Sequence, residues 1–265
     1  STTGVMDIWN NSFYQSIRNE MLSGNLPDAC RICKMNEDIG VESSRQWKNS
    51  KHQNISQYTS SISNSPINFD VRPSNKCNLE CVMCNGVVSS AISDRIKTYN
   101  GELPIETGEY WNESELIANY VRQNSNDVVE LNFAGGEPFL MKEVLDLLTD
   151  LVNDGSSKNI SLTFLTNGTV VRQKWFKELL TTFKKVKLNI SIDGIGDTLE
   201  YVRYPSKWKT INNNIIFLKQ LSMKYPNVEV SLSPVLHLLN ALELHRLFSY
   251  AAINSINISL GFVYQ

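Results

Sequence analysis

From residue 66 onward the apolar positions keep two alternating rhythms. Short stretches repeat every second residue: INFDVRP at 67–73, VVELNFA at 128–134, ISLTFLT at 160–166, VKLNISI at 186–192, VEVSLSPVL at 228–236 and INISLGFV at 256–263. Between them lie longer stretches with helical spacing: AISDRIKTY at 91–99, FLMKEVLDLLTDLVND at 139–154, WFKELLTTF at 175–183, INNNIIFLKQLSMKY at 211–225 and ALELHRLFSYAA at 241–252. Period two marks strands and period 3.6 marks helices. The order strand, helix, strand predicts βα units on a parallel sheet. Right-handed crossovers in series give an open doubly wound sheet or a barrel. A closed eight-unit barrel needs more chain than is present. The expectation is an α/β fold, a partial (β/α)6 TIM-like barrel with parallel strands over 66–265.

The N-terminal pattern differs. Ile8, Trp9, Phe13, Ile17 and Met21 fall at helical spacing, with Asp7 placed to cap the helix and Gly24 to stop it before Pro27. That helix leads to Cys30 and Cys33, so residues 1–47 form a small helical segment with a C-x-x-C. Residues 48–65 are polar with few large apolar side chains and read as a linker. The sequon Asn54-Ile55-Ser56 there carries no weight without secretion.

Composition removes several classes. The net charge is −2, without the basic excess that nucleic acid binding needs. No apolar run approaches the ~20 residues that span a bilayer, and no secretion signal is visible. A cytoplasmic location is expected. The first residue is not Met, which reads as a processed chain or one cut from a longer one. Five cysteines cannot all pair as disulfides, and they fall in two tight groups, so metal or redox use is the better reading.

The larger group is Cys77-x-x-x-Cys81-x-x-Cys84, just past the first strand. Three other breaks in pattern also follow strand ends: Gly135-Gly136-Glu137-Pro138, Thr166-Asn167-Gly168 and Asp193-Gly194. Each alone is an ordinary turn, and Asp193 alone could cap a helix. On a parallel barrel, all four gather at the C-terminal mouth, where active sites are built. Three thiolates suit three irons of a [4Fe–4S] cluster and leave one iron open. The rival is a structural Cys₃His zinc site. His52, His237 and His245 are the histidines, none adjoining the loop in sequence.

Together these residues resemble the radical S-adenosylmethionine (radical SAM) enzymes over roughly 66–265: the C-x-x-x-C-x-x-C loop, GGEP one βα unit later, and SIDG at 191–194. The resemblance implies a [4Fe–4S] cluster on Cys77, Cys81 and Cys84. It implies S-adenosylmethionine held at the open iron through its amino and carboxylate groups. Gly135 and Gly136 then let the ligand reach backbone groups, so a side chain there would block it. Glu137 stands where it could hold the methionine amine. Ser191 and Asp193 would face the ribose or the methionine end, with Asn167 on the ribose side. Arg203 resembles by position the arginine that pairs with the cofactor carboxylate, or else is a surface charge. Met83 stands where the family often has an aromatic residue against the adenine, and a polarizable thioether can pack there too. The implied chemistry is reductive cleavage of the cofactor to a 5′-deoxyadenosyl radical, which takes a hydrogen atom from the substrate. A flavodoxin or ferredoxin is the implied electron donor.

The N-terminal segment resembles the auxiliary-cluster region of the SPASM and twitch members of that family. It shares Ile8-Trp9-Asn10, Ile17-Arg18, Gly24, Cys30-x-x-Cys33 and Ser44-Arg45, although such a segment normally follows the barrel. This implies a second iron–sulfur site on Cys30 and Cys33, with a small zinc knuckle as the plain alternative. Its missing ligands are sought in flanking sequence, a partner chain or His52. The SPASM and twitch likeness also implies a peptide or protein substrate. The alternatives are a small metabolite or RNA as substrate, or a non-catalytic zinc adaptor with two cysteine knuckles.

Overall fold

The computed structural model describes residues 4–50, 65–100 and 114–262. The chain divides into two compact units, 1–66 and 67–265.

The second unit is a sheet of β1 (Asn68–Val71), β2 (Glu130–Phe133), β3 (Ser161–Thr166), β4 (Lys185–Ile190), β5 (Val228–Leu232) and, past a short β6 (Val235–Leu236), β7 (Asn257–Ile258). Its order is β1-β2-β3-β4-β5-β7, and every neighbouring pair is parallel. This is the expected α/β sheet, with β1 and β7 at its edges. One row of the register runs Phe133, Phe164, Leu188, Val230 across four strands. Phe133 stacks on Phe164 with centroids 5.1 Å apart, and Phe139, just past the GGEP turn, packs 4.7 Å from both Phe164 and Phe176. The GGEP turn is thereby nailed to the core by its next residue.

Helices of this unit are, past the four N-terminal ones, α5 (Ser90–Asn100), α6 (Ser114–Gln123), α7 (Lys142–Asn153), α8 (Gln173–Glu178), α9 (Asp197–Val202), α10 (Trp208–Lys224) and α11 (Leu244–Ile253). In α7 the buried residues are Val144, Leu147, Leu148 and Leu151, a single apolar stripe. Helices α6 and α9 were not expected from the sequence. The pattern of α6 is clear afterwards, with Ala118 and Val121 one turn apart and buried. The reading WFKELLTTF was too long, because α8 ends at Glu178 and a tight turn follows. There Thr181 and Thr182 donate their hydroxyls to the Lys177 and Leu179 carbonyls, competing with helix continuation.

The fifth and sixth strands were also read as too continuous. Pro234 has no N–H to donate, and VEVSLSPVL splits there into β5 and β6. The last run splits likewise: β7 joins the main sheet, while β8 (Gly261–Phe262) pairs with β6.

The first unit holds α1 (Val5–Trp9), α2 (Ser12–Leu22), α3 (Arg31–Asp38) and α4 (Ser44–Ser50). The single helix expected from Asp7 is broken at Asn10 and Asn11. The Asn11 side chain accepts from the Tyr14 amide at 2.9 Å and starts α2 afresh. Asp7 is not the N-cap residue; it lies inside α1, and its side chain accepts from the amide of the N-cap, Gly4. Gly24, with φ +87°, does end α2. Helix α4 runs three residues into the stretch read as linker, and 51–64, with His52 and the sequon, lie outside the described residues. No described helix is long and apolar enough to cross a membrane.

Candidate functional site

The loop after β1 carries the three cysteines, and its shape is set by its own serines and asparagines. Ser89 donates to the Leu79 carbonyl at 2.6 Å, and Ser90 bonds both the amide and the carbonyl of Cys77. Asn75 and Ser93 both donate to the Gly86 carbonyl. Cys77 is half-buried, Cys81 buried and Cys84 exposed. Met83 lies between the last two, half-buried.

Two other strand ends and the end of α9 close on this loop. From β3, the Asn167 amide nitrogen reaches the Cys77 sulfur at 3.8 Å and the Asn78 side chain at 3.0 Å. From the α9 end, Arg203 reaches the Cys81 sulfur at 3.8 Å. From β2, Gly136 lies against the loop itself. A Cβ on Gly136 would stand 2.9 Å from the carbonyl carbons of Asn75 and Lys76, and its φ is +47°. The close approach expected of a ligand is therefore made, at Gly136, by the chain. Gly135 has φ +79° but meets nothing nearer than the Arg72 Cβ at 3.4 Å.

Glu137 is fully buried. Its carboxylate accepts from the Thr166 hydroxyl at 2.8 and 2.9 Å, from the Asn167 amide at 2.7 Å and from the Phe139 amide at 3.2 Å. Its own amide donates to the Lys76 carbonyl at 2.8 Å. One residue thus ties GGEP to TNG through its side chain and to the cysteine loop through its backbone. Burial pushes this carboxyl up to about 7, against the pull of those donors.

Asp193 is also fully buried, and both oxygens are taken by the chain: Arg203 Nε at 2.6 Å and the Val235 amide at 2.7 Å. Asn240, which lies in no motif, donates to the Asp193 and Val235 carbonyls. Ser191 is half-buried, with its amide on the Thr166 carbonyl. Asn78 and the Ser89-Ser90 pair were missed too, although their place within and just after the cysteine motif was a usable signal.

The thiols are not equivalent. The Cys81–Cys84 hydrogen bond holds Cys84 down at about 7 and, with burial, pushes Cys81 up. Burial also raises Cys77. Among the described residues, no three His, Cys, Asp or Glu side chains converge on a single ion. A cubane places each thiolate on a separate iron, so convergence on one point is not required. Three thiols on one loop, two of them facing nitrogen donors, fit a cluster with an open iron, since hydrogen bonds to sulfur are what tune such groups.

In the first unit, Cys30 ends a short turn and Cys33 lies in α3. Arg45 forks onto Glu37 at 3.1 and 2.6 Å, and Ser43 joins the same carboxylate at 2.6 Å. Arg18 donates to the Trp9 carbonyl and lies 5.0 Å over its ring.

A sequential parallel βα sheet with a three-thiol loop at the C-terminal ends of its strands defines an α/β domain with a candidate cluster site. The profile of the Radical SAM superfamily matches residues 71–260, and the chain belongs to that superfamily. A probable GTP 3′,8-cyclase of Methanocaldococcus jannaschii is 28% identical over 161 residues, 61% of this chain and 45% of that protein. An uncharacterized protein of the same organism is 26% identical over 126 residues, 47% of this chain and 38% of that protein. Among solved structures, native anSMEcpe with bound AdoMet aligns with TM-score 0.54 at 21% identity, covering 76% of this chain and 52% of that one. Streptococcus suis SuiB bound to S-adenosylmethionine aligns with TM-score 0.53 at 15% identity, covering 96% and 53%. These two show the partial-barrel fold. The chain spans about half the length of the relatives it matches, or less.

Proposed function

We propose that this protein is a radical SAM enzyme that abstracts a hydrogen atom from a peptide or protein. The observation that carries the reading is the three-cysteine loop locked at the mouth of the parallel sheet by Asn167, Glu137 and Arg203. When bound there, a [4Fe–4S] cluster supplies one electron to S-adenosylmethionine, which yields methionine and a radical able to take a substrate hydrogen. Cys77, Cys81 and Cys84 hold the group. Glu137 and Gly136 fix the turn against the cysteine loop, and the Gly135 backbone beside it receives the methionine amine. Ser191 and Asn167 line the ribose side, and Met83 packs on the adenine. The electron comes from a flavodoxin or ferredoxin. A second iron–sulfur group on Cys30 and Cys33 draws its remaining ligands from elsewhere.

Two solved relatives support the substrate class: SuiB has been crystallised with its precursor peptide SuiA, and anSMEcpe with a peptide beside AdoMet. A second reading, action on a nucleotide, is favoured by the sequence likeness to the probable GTP 3′,8-cyclase. One experiment tests both. The protein is reconstituted anaerobically with iron and sulfide, reduced, and given S-adenosylmethionine alone, with a peptide mixture, or with GTP. The peptide reading expects 5′-deoxyadenosine that rises with peptides. Consumption of GTP instead selects the nucleotide reading, and no 5′-deoxyadenosine under any condition overturns both.

A further inference from the structure

The stretch 202–204 is bonded to the cysteine loop as a short ladder. The Val82 amide donates to the Val202 carbonyl at 2.9 Å, and the Glu80 amide to the Tyr204 carbonyl at 2.6 Å. These two rungs bracket Cys81 on one side and Arg203 on the other. Between them, Arg203 Nη1 stands 3.8 Å from the Cys81 sulfur. The arginine is 6% exposed, and its Nε is held by Asp193, which is 0% exposed and itself anchored to the Val235 amide. This is a built site, not a surface charge. The guanidinium fork meets a carboxylate with one nitrogen and a sulfur with another, in a planar geometry that an ammonium does not fix.

We propose that Arg203 is a positioning residue for the cysteine loop, placing a fixed buried positive charge against the Cys81 thiolate so that one-electron reduction of the group held by that thiolate is easier. The proposal rests on the radical SAM reading. It gives the arginine to the chain's own sulfur rather than to the carboxylate of a bound ligand. The sign follows from charge. Reduction adds a negative charge beside Cys81, and a nearby cation in a site of low polarity favours the more negative state. The nitrogen donor at Cys77 is a neutral amide, and Cys84 is exposed, so the buried Cys81, in contact with the guanidinium, is where this fixed charge acts most strongly.

The test is the midpoint potential of the reconstituted protein without S-adenosylmethionine, followed by electron paramagnetic resonance. Arg203→Gln is expected to keep its iron but to lower the reduced fraction at fixed potential about tenfold, a shift of about 59 mV to more negative values. Arg203→Lys keeps the charge without the fork and should shift less. Because the single Gln variant leaves Asp193 uncompensated, Arg203→Gln with Asp193→Asn is the folding control. It should shift in the same direction but less, because the Asp193 carboxylate acts on Cys81 with the opposite sign and is removed together with the arginine's charge. An unchanged potential in both Gln variants, with weaker S-adenosylmethionine binding in Arg203→Gln, overturns the proposal and gives the arginine to the cofactor. A wild type that assembles no cluster overturns the radical SAM reading itself, a separate result.

Discussion

The two cysteine groups lie in units held together in opposite ways. Around Cys77, Cys81 and Cys84, side chains from three strand ends converge, and Glu137, Asp193 and Arg203 are all buried and bonded. Around Cys30 and Cys33, helices α1 to α3 bury no side chain, while Ile32, Met35 and Ile39 are 71%, 59% and 75% exposed. The fixed points there are polar: the Glu37–Arg45–Ser43 cluster and the Arg18–Trp9 contact. The first loop is preorganised by a hydrophobic core beneath it. The second is shaped by capping bonds and a half-exposed ion pair, which contribute modestly.

The sharpest test of that contrast is iron. With all three of Cys77, Cys81 and Cys84 changed to Ala, bound iron and 5′-deoxyadenosine formation should both be lost. Cys30→Ala with Cys33→Ala should leave about four irons, as in the parent, since two thiolates cannot hold a cluster that needs about four ligands. Iron and sulfide analysis decides. A parent with about eight irons and a double variant with about four would mean that the N-terminal unit completes a cluster, and the contrast would break.

Much of the site was legible because it is local. Strand ends follow from period-two runs, and motifs at strand ends must gather at one edge of a parallel sheet. What the sequence hid is which partner each polar group takes. Gly136 reads as room for a ligand, but the room is filled by Asn75 and Lys76, sixty residues back in the chain. Asp193 and Arg203 read as ligand contacts, yet they bond each other across a short helix. Asn240 has no motif at all, and only the β6 turn brings it to Asp193. Tertiary pairing of this kind leaves no periodicity. The breaks at Asn10 and Pro234, by contrast, were missed although an Asn pair and a missing donor signalled them.

The glycines sharpen the comparison inside the ordered unit. Gly136→Ala combines a left-handed backbone with a collision against fixed main chain, and should destabilise by about 2–5 kcal/mol. Gly135→Ala meets only the backbone strain, about 1–2 kcal/mol. Denaturant unfolding of the cluster-free protein would measure both. Equal losses would mean that the loop yields at Gly136, and that it is less rigid than its contacts suggest.

Glu137 gives a smaller effect with a pH signature. All its partners can donate, so in Glu137→Gln an amide N–H must face the Asn167 or Phe139 amide, a loss of about 1–3 kcal/mol. The folded carboxyl is raised from 4.5 to about 7 by burial. A raised value means that its contribution is complete below the unfolded value and disappears as pH rises through about 7. The stability gap between wild type and Glu137→Gln should therefore narrow between pH ~5 and ~8. A gap that widens with pH would show that the donors, not burial, control this group.

The weakest expected effect lies on α3 and its C-cap, Ile39, and it tests the other half of the contrast. Ile39 and Met35 already give most of their surface to solvent. Changing either to Ser returns little apolar area to water and opens no cavity, so the change should stay within about 0.5 kcal/mol. The matching control in the sheet unit is Leu148→Ala in α7, fully buried, where loss of packing and the cavity left behind predict about 2–5 kcal/mol. Thermal unfolding followed by circular dichroism would compare the three. A loss above about 1 kcal/mol for Ile39→Ser cannot come from the exposed side chain described here. It would mean that α3 is covered in solution, and that the N-terminal unit owes its order to packing after all.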